Sequence, residues 1–355
     1  MKSLKGKMWV VFVGIVLAIP ISYAVLKSTR TSISNSVLTG HGDAVECVVF
    51  SNNGRLLLSG SSDQTVRLWD VQKGVLKTTL SGHSGGVRAV AFCQDDKWGI
   101  SSGYDRTVKL WDLQKGTLKK TLTEKDIVYS LAASPDGKTL ATSELKRIRI
   151  WNIETGSIER ELKYVFGEVE MLLGKALALE YLPNGRSLIG VVIDITPAIS
   201  MEGAFCEWDA KTGKLVRVVP IGFFYDDWPP ERNDRAAGLA CDGSIVAFWS
   251  GVRGGKEVRV WDTKEEKERF RLKGFETYVW SFAFSPENKI LALASGDGSI
   301  RFIDTHAGTE KHKMIFEEKE IPFGISFSPD GNAFAAAMMD GTVRIWNIGS
   351  ILSRK

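Results

Sequence analysis

From about residue 38 to residue 347, apolar and polar residues alternate over short stretches that end in clusters of glycine, asparagine or aspartate. Alternation with a period of two places one face of a strand in a core and the other in solvent, and the polar clusters are typical of tight turns. The pattern therefore predicts many short β-strands over almost the whole chain.

The alternating stretches are organised in an internal repeat of about 42 residues. Segments 38–79 and 80–121 align without a gap, and each contains a Gly-His pair, two strand patterns and the ending Asp-x-Thr-Val-basic-Leu-Trp-Asp. The Trp-Asp pair, or a degenerate form of it, recurs seven times, at spacings of about 40–57 residues. The seven pairs are Trp69-Asp70, Trp111-Asp112, Trp151-Asn152, Trp208-Asp209, Trp261-Asp262, Ile303-Asp304 and Trp346-Asn347.

These repeats resemble the WD-repeat family over roughly residues 34–348. The resemblance implies an all-β fold, a seven-bladed β-propeller in which each blade is a four-stranded antiparallel sheet. A closed propeller is one domain, although the length of the chain suggests about two. Only a short tail, residues 349–355, follows the last Trp strand. We therefore expect an N-terminal strand, residues 34–38, to complete the last blade and cover its edge.

The resemblance also implies a buried hydrogen-bonded set of His, Ser, Asp and Trp in each well-formed blade. The matching residues are His41, Ser59, Asp63 and Trp69 in the first repeat, and His83, Ser101, Asp105 and Trp111 in the second. A buried aspartate needs donors, which imidazole and hydroxyl groups supply, and the indole N–H needs an acceptor. Because the sets recur with the period of the fold, we interpret them as structural and not as catalytic triads. The other five repeats lack the full set, and there we expect more apolar packing.

Charge and cysteine content exclude several classes of function. The net charge of +4 comes mostly from Lys2, Lys5 and Lys7, and the rest of the chain is nearly neutral, so we expect no nucleic-acid partner. The four cysteines lack metal-binding spacing, and no motif supports a catalytic residue, a metal ion or a cofactor. We therefore expect no enzyme. Whether Cys206 pairs with Cys241 stays open.

The first 26 residues differ from the rest of the chain. Three lysines precede an uninterrupted apolar run over residues 8–19, and a small-x-small ending follows, which is typical of a secretory signal peptide. Extended to residue 26, the run is also about long enough for an uncleaved membrane anchor. Both interpretations predict an exported protein, secreted or anchored, with membrane contact only through residues 8–26 and a linker over residues 27–33.

Departures from the repeat are the candidate places for function. The fourth and fifth units are longer than the first two by about 15 and 11 residues, and long insertions in compact folds are often functional. One insertion concentrates aromatic and acidic side chains, which are typical of interface anchors. The candidate partner-binding residues are Phe223, Phe224, Tyr225, Asp226, Asp227 and Trp228. Two interpretations stay open, a contact surface for a partner and a plug that folds back onto its own blade.

Together these features predict a non-catalytic scaffold outside the cytoplasm that binds a protein or peptide of unknown identity. That expectation depends partly on the family resemblance, because a fold alone does not determine a function. The alternatives are an exported propeller that binds a glycan or small ligand through the aromatic segment, and a propeller enzyme.

Overall fold

The computed structural model describes residues 35–93, 96–166, 169–170, 174–194, 202–223, 237–250, 256–317 and 320–353. They lie in one compact unit, residues 33–355. In these ranges the chain forms seven four-stranded antiparallel sheets, one two-stranded sheet and one short helix.

The first strand, β1 (Ser36–Leu38), precedes three sheets in chain order. Blade 1 contains β2 (Val45–Phe50), β3 (Leu56–Ser61), β4 (Thr65–Asp70) and β5 (Val75–Ser81). Blade 2 contains β6 (Val87–Cys93), β7 (Trp98–Gly103), β8 (Thr107–Asp112) and β9 (Thr117–Thr123). Blade 3 contains β10 (Ser130–Ala133), β11 (Thr139–Glu144), β12 (Arg147–Asn152) and β13 (Ile158–Lys163). The two-stranded sheet, β14 (Val165–Phe166) and β15 (Val169–Glu170), comes next.

Four further sheets follow. Blade 4 contains β16 (Gly174–Tyr181), β17 (Ser187–Asp194), β18 (Glu202–Asp209) and β19 (Leu215–Phe223). Blade 5 contains β20 (Ala237–Leu239), β21 (Ile245–Ser250), β22 (Glu257–Asp262) and β23 (Lys267–Leu272). Blade 6 contains β24 (Val279–Phe284), β25 (Ile290–Ser295), β26 (Ser299–Asp304) and β27 (Glu310–Ile315). Blade 7 contains β28 (Pro322–Phe327), β29 (Ala333–Met338) and β30 (Val343–Asn347), and helix α1 (Ile348–Leu352) ends the described chain.

The seven sheets form a closed ring. The first strand of each blade contacts the first strands of both neighbouring blades, and the cycle closes between β28 and β2. These strands therefore surround a central axis, and the fourth strand of each blade lies on the outer rim. The predicted seven-bladed propeller of four-stranded antiparallel blades is confirmed.

Blade 7 takes its outer strand from the other end of the ring. β1 pairs antiparallel with β30, in a register that places Leu38 opposite Val343 and Ser36 opposite Ile345. Leu38 is buried, and it packs in one cluster with Val343, Ile345 and Trp69. The pairing joins the two ends of the ring through main-chain hydrogen bonds and a shared apolar core.

The core of the molecule lies between blades and not at one centre. Each hydrophobic cluster combines side chains from two consecutive blades, as where Leu58 and Val66 of blade 1 pack with Phe92 and Trp111 of blade 2. This arrangement follows from the alternating sequence of the inner strands, because both faces of every sheet meet a neighbouring sheet.

One face of the ring carries both the turns between second and third strands and the connections between blades, and we call it the upper face. The two features are hydrogen-bonded to each other in several blades. Examples are the main-chain bonds from Ser62 to Ala44, from Tyr104 to Gly86, from Gly296 to Tyr278 and from Met339 to Ile321, of 2.8–2.9 Å.

The N-terminal segment predicted from the sequence cannot be placed on this fold. The predicted leader, residues 1–26, and the predicted linker, residues 27–33, lie outside the described residues. Among the residues that the structure describes, no helix is both long and apolar enough to cross a membrane.

Candidate interaction site

The polar residues of the first repeat meet at the upper end of blade 1. His41 Nδ1 lies 2.8 Å from Asp63 Oδ2, and His41 Nε2 lies 2.8 Å from Ser59 Oγ. The Trp69 indole donates to Ser59 Oγ at 2.8 Å. Burial lowers the pKa of His41 despite the carboxylate beside it, so the imidazole is neutral at pH 7. Its Nδ1–H then donates to Asp63, and its Nε2 accepts from Ser59.

The second repeat forms the same set in blade 2. His83 Nδ1 lies 2.9 Å from Asp105 Oδ2, its Nε2 lies 2.8 Å from Ser101 Oγ, and Trp111 donates to Ser101 Oγ at 2.8 Å. Burial lowers the pKa of His83 as well. Both histidine side chains are inaccessible to solvent. The serine hydroxyl is hydrogen-bonded to both the histidine and the tryptophan, so each set joins an upper-face connection to the third strand of its blade. None of these groups is placed to react with a substrate.

Gly103 has no side chain, and this leaves room for the His-Ser-Asp-Trp set of blade 2. A Cβ added at Gly103 would lie 2.8 Å from His83 Nδ1, 2.9 Å from Asp105 Oδ1 and 3.2 Å from the Gly86 carbonyl oxygen. We therefore expect Gly103→Ala to lower the free energy of unfolding by about 1–3 kcal/mol, because a methyl group must displace packed polar atoms. Urea denaturation measures the change.

Gly42→Ala is the matched control, since its added Cβ would meet only the Asp63 Cβ, at 3.8 Å. Equal stability of the two variants would contradict the close packing around Gly103.

Blade 3 replaces the His-Asp part of the set with a buried ionic network. Glu124 precedes the blade at the repeat spacing from His83, and its Oε1 accepts from Trp151 Nε1 at 2.9 Å and from Thr142 Oγ1 at 2.6 Å. Arg149 pairs with Glu124, and its Nη1 lies 2.7 Å from Glu144 Oε1. Where more apolar packing was expected, this blade therefore has a buried ionic network beside its apolar clusters.

Two other blades use aromatic side chains where the histidine is missing. Before blade 4, the buried Tyr164 hydroxyl contacts Ser143 Oγ at 3.1 Å, and it lies 3.0 Å from the Glu144 carbonyl oxygen. Before blade 6, the Phe275 ring lies 4.3 Å from the Arg301 guanidinium carbon and 5.5 Å from the Trp249 ring. Aromatic packing in blade 6 agrees with the apolar packing expected there.

β-bulges occur near the upper ends of several inner strands. In blades 1, 2, 6 and 7, the ladder skips the second residue of the inner strand, which is Glu46, Arg88, Trp280 or Phe323. In blade 4, the ladder skips Leu177 further along the strand, and that side chain is buried in the core. A bulge turns the extra residue out of the regular alternation. We call the inner part of the upper face, where the four skipped residues of blades 1, 2, 6 and 7 lie, the mouth.

On blades 2 to 4, cations and tyrosines line the mouth. The Arg88 guanidinium lies 5.5 Å from the Tyr104 ring and 5.3 Å from the Tyr129 ring, and its Nη1 lies 3.2 Å from the Tyr104 hydroxyl. Lys175 Nζ lies 4.9 Å from the Tyr129 ring. Arg88 and Lys175 are buried, whereas Tyr104 is 41% exposed. These cation–π contacts hold the rings in fixed orientations at the surface.

On blades 6 and 7, the mouth is apolar. The Trp280 and Phe323 rings meet edge to face, with their centroids 5.7 Å apart. Trp280 also lies against Gly296, where a Cβ would come within 2.6 Å of the indole nitrogen. Met339, in the next upper-face turn, is 41% exposed. This side therefore offers a rigid aromatic pair beside a flexible apolar side chain.

Sequence reasoning did not identify the mouth, because bulge positions depend on strand register. The partner-binding segment that it favoured lies almost entirely outside the described residues. Phe223 is the last residue of β19, while Phe224, Tyr225, Asp226, Asp227 and Trp228 lie outside the described residues. The partner-binding role of this segment stays a prediction.

Thiol and carboxylate side chains are the other potentially reactive groups of the chain. The four cysteines all lie in the described ranges and form no disulfide bond; Cys206 is buried and Cys241 is exposed, and burial raises the pKa of Cys206 to about 12. Within the described ranges, no three His, Cys, Asp or Glu side chains are grouped to hold a metal ion.

Comparison with known proteins agrees with the repeat pattern. The family model described as "WD domain, G-beta repeat" matches residues 33–70, 74–112, 116–152, 266–304 and 314–347, just over half of the chain.

Several curated proteins are similar to this chain. Periodic tryptophan protein 2 of Arabidopsis thaliana is 33% identical over 221 residues, which are 60% of this chain and 21% of that protein. Protein tipD of Dictyostelium discoideum is 30% identical over 322 residues, 87% of this chain and 40% of that protein. A probable cytosolic iron-sulfur protein assembly protein 1 of Mycosarcoma maydis is 35% identical over 91 residues, 21% of this chain and 20% of that protein. The chain therefore spans less than half the length of these relatives.

These relatives contradict the location predicted from the N-terminal residues. The name of the Mycosarcoma maydis protein assigns it to the cytosol, and none of the three names refers to secretion or to a membrane. The prediction of an exported protein, secreted or anchored through residues 8–26, is therefore withdrawn.

Proposed function

Because this chain belongs to the WD40-repeat family, we propose that it is a non-catalytic scaffold that binds other proteins through the upper mouth of its propeller. The observation that carries the proposal is the set of bulge residues at the upper ends of the inner strands, together with the aromatic and cationic side chains that contact them. Tryptophan, tyrosine and arginine are the residues that most often dominate the free energy of protein–protein binding. Here Trp280 and Tyr104 lie at the mouth, and the buried Arg88 supports the Tyr104 ring.

The rigidity of the mouth supports binding. Arg88 is held between two tyrosine rings, and Trp280 is held between Gly296 and Phe323. A surface whose rotamers are already fixed loses little side-chain entropy when a partner arrives. Met339 adds an adaptable apolar contact beside the aromatic pair.

The polar sets support a structural role over a catalytic one. His41 and His83 have no solvent-accessible side-chain surface, and each serine hydroxyl is hydrogen-bonded on both sides. A nucleophile must be able to reach its substrate, and these cannot. The sets instead hold the upper-face connections at the outer boundary of the mouth.

A mouth variant tests this proposal. We expect Phe323→Ser with Met339→Ser to lower the recovery of specific partners at least tenfold, because both apolar contacts are lost, while the melting temperature stays within a few degrees. The measurement is quantitative mass spectrometry of proteins cross-linked to the full chain in its native extract.

Val216→Ser is the matched control, because Val216 is 61% exposed on the outer strand β19, away from the mouth. Recovery of the same proteins at the same level by all three chains would overturn the proposal.

Segment 223–228 remains part of the proposal as a second contact. β19 is the outer strand of blade 4, so its last residue, Phe223, lies at the upper face, where the connection to blade 5 starts. The joint variant Phe224→Ser, Tyr225→Ser and Trp228→Ser forms a separate arm of the same experiment. A stable variant that loses partners supports a contact surface, and a variant that unfolds supports the plug.

A further inference from the structure

Blade 3 buries more negative than positive charge at one point. Glu124, Glu144 and Arg149 are 4%, 1% and 2% exposed. Arg149 pairs with both carboxylates, and its Nε also donates to Glu161 Oε1 at 2.9 Å. Two buried carboxyl groups thus share one guanidinium, which a third carboxylate approaches from the surface.

An excess of negative charge inside a protein destabilises the folded state. Two neighbouring carboxylates cannot both ionise cheaply, and a buried charge without its own counterion disfavours the folded state. A proton shared between the two acids removes the excess charge and lets one carboxyl group donate to the other. In blades 1 and 2, a neutral histidine at the equivalent position avoids the conflict.

We infer that Glu124 and Glu144 form a proton-binding pair that regulates the mouth, holding one proton at neutral pH and below and loosening the adjoining upper-face connections when that proton is lost. The regulatory meaning rests on the proposed function, whereas the proton binding does not.

The pKa of Glu144 agrees with the geometry. Burial, and then the hydrogen bond and the charge of Glu124, raise the pKa of Glu144 to about 7, against the opposing effects of the Lys125 N–H and Arg149. The titratable or charged residues on the elements around the pair are Arg106, Lys125, Arg147, Arg149, Glu161, Lys163, Tyr164 and Lys175. Hydrogen bonds from Arg149 and Arg147 lower the pKa of Glu161, so this acid stays ionised near neutrality.

Two sets of contacts connect Glu144 to the mouth, one that leads to Tyr129 before blade 3 and one that leads to Lys175 in blade 4. Its Oε1 accepts from the main-chain N–H of Lys125, at the start of the connection that leads to Tyr129. Its carbonyl oxygen accepts from Tyr164, whose hydroxyl in turn accepts from the main-chain N–H of Ala176, next to Lys175. Tyr129 and Lys175 contact each other at the mouth. The Lys125 N–H favours the ionised form of Glu144, so the loosening comes from repulsion between the two carboxylates, which acts on Glu124 at the start of the same connection. Tyr164 joins the main chain of Glu144 to the residue next to Lys175, so a displacement of this strand also reaches the mouth.

The sign of the pH dependence follows from the raised pKa. Folding holds the proton of Glu144 up to about pH 7, whereas the unfolded chain releases it near the ordinary value of 4.5. The stabilisation from this group is complete below about pH 4.5, is lost as the pH rises to about 7, and does not change further above that value.

The test compares the full chain with Glu144→Gln, because glutamine resembles the protonated acid but does not titrate. We expect the wild-type melting temperature to fall between pH 6 and pH 8, and the variant to lose at least half of that fall. We also expect the wild-type amides of residues 124–129 to exchange hydrogen several-fold faster at pH 8 than at pH 6, after correction for intrinsic rates. In the variant, these corrected rates should be equal at the two pH values.

Two further variants keep the test decisive. Glu124→Gln removes the other acid and should reduce the pH dependence in the same way, whereas Glu161→Gln should leave it unchanged. Other acids of the chain also titrate, so the variants and not the wild-type slope isolate the pair. Glu144→Gln and Glu124→Gln chains that both retain the wild-type pH dependence would overturn the inference. Since no partner is added, that outcome is distinct from a failure of the proposed scaffold function.

Discussion

Replacing Arg149 with methionine is expected to lower the free energy of unfolding by about 3–5 kcal/mol at pH 8, the cost of removing one member of a buried ion pair. Methionine fills much of the same volume but leaves Glu124 and Glu144 buried without their counterion. Trp151 and Thr142 would still donate to Glu124, but two hydrogen bonds cannot replace a full charge. Urea denaturation followed by circular dichroism measures the loss.

Two comparisons separate charge from packing. Arg147→Met removes a partly exposed pair with Glu161, whose atoms are 2.9 Å apart, and should cost at most about 1 kcal/mol. Adding Glu124→Gln and Glu144→Gln to Arg149→Met should recover at least half of the stability, because no buried charge is left. A loss from Arg149→Met no larger than that from Arg147→Met would refute the role of the network.

Truncating Trp111 to alanine is expected to cost about 3–5 kcal/mol, as for other large buried aromatic side chains. Trp111 is 1% exposed and packs in the cluster between blades 1 and 2. Its loss opens a cavity between two blades and leaves Ser101 without the indole donor. For a domain of this size, we expect the melting temperature to fall by about 5–8 °C.

Trp111→Phe separates the contribution of the buried ring from that of the indole hydrogen bond. Phenylalanine keeps most of the buried ring and removes the indole N–H, so about 1–2 kcal/mol should be lost. If Trp111→Ala and Trp111→Phe destabilise the protein equally, packing between the blades is not the main contribution of this residue.

The architecture could be predicted from the sequence because its signals are local and repeated. Each blade carries its own period-two strands and turn residues, and Trp69, Trp111 and Trp151 mark the third strand at a nearly constant spacing. The His-Ser-Asp-Trp sets in blades 1 and 2 form hydrogen bonds between the residue types that the repeat pattern places together.

The mouth and the ionic network could not be predicted by a search for residue types alone. Glu124 follows His83 at the repeat spacing. A search for histidine at this position of the repeat does not find it, because the residue there is a glutamate. Arg88 and Trp280 line the mouth because the strand ladder skips them, and a skipped residue depends on how two strands pair. The predicted location was wrong for another reason, because it depended on the N-terminal pattern alone, and that pattern contains no information about the relatives of the chain.

The pairing of β1 with β30 also has a consequence for biosynthesis. Residues 36–38 and 343–345 are separated by almost the entire propeller, so their contact is among the most non-local in the chain, and such contacts form slowly. At ordinary rates of translation, β1 leaves the ribosome roughly 15–60 s before its partner strand exists. During that interval the other blades can assemble one after another, while the ring itself stays open. Completion of the native state therefore waits for the synthesis of β30, and a ribosome that stalls before β30 would leave a stack of blades with two unpaired edges.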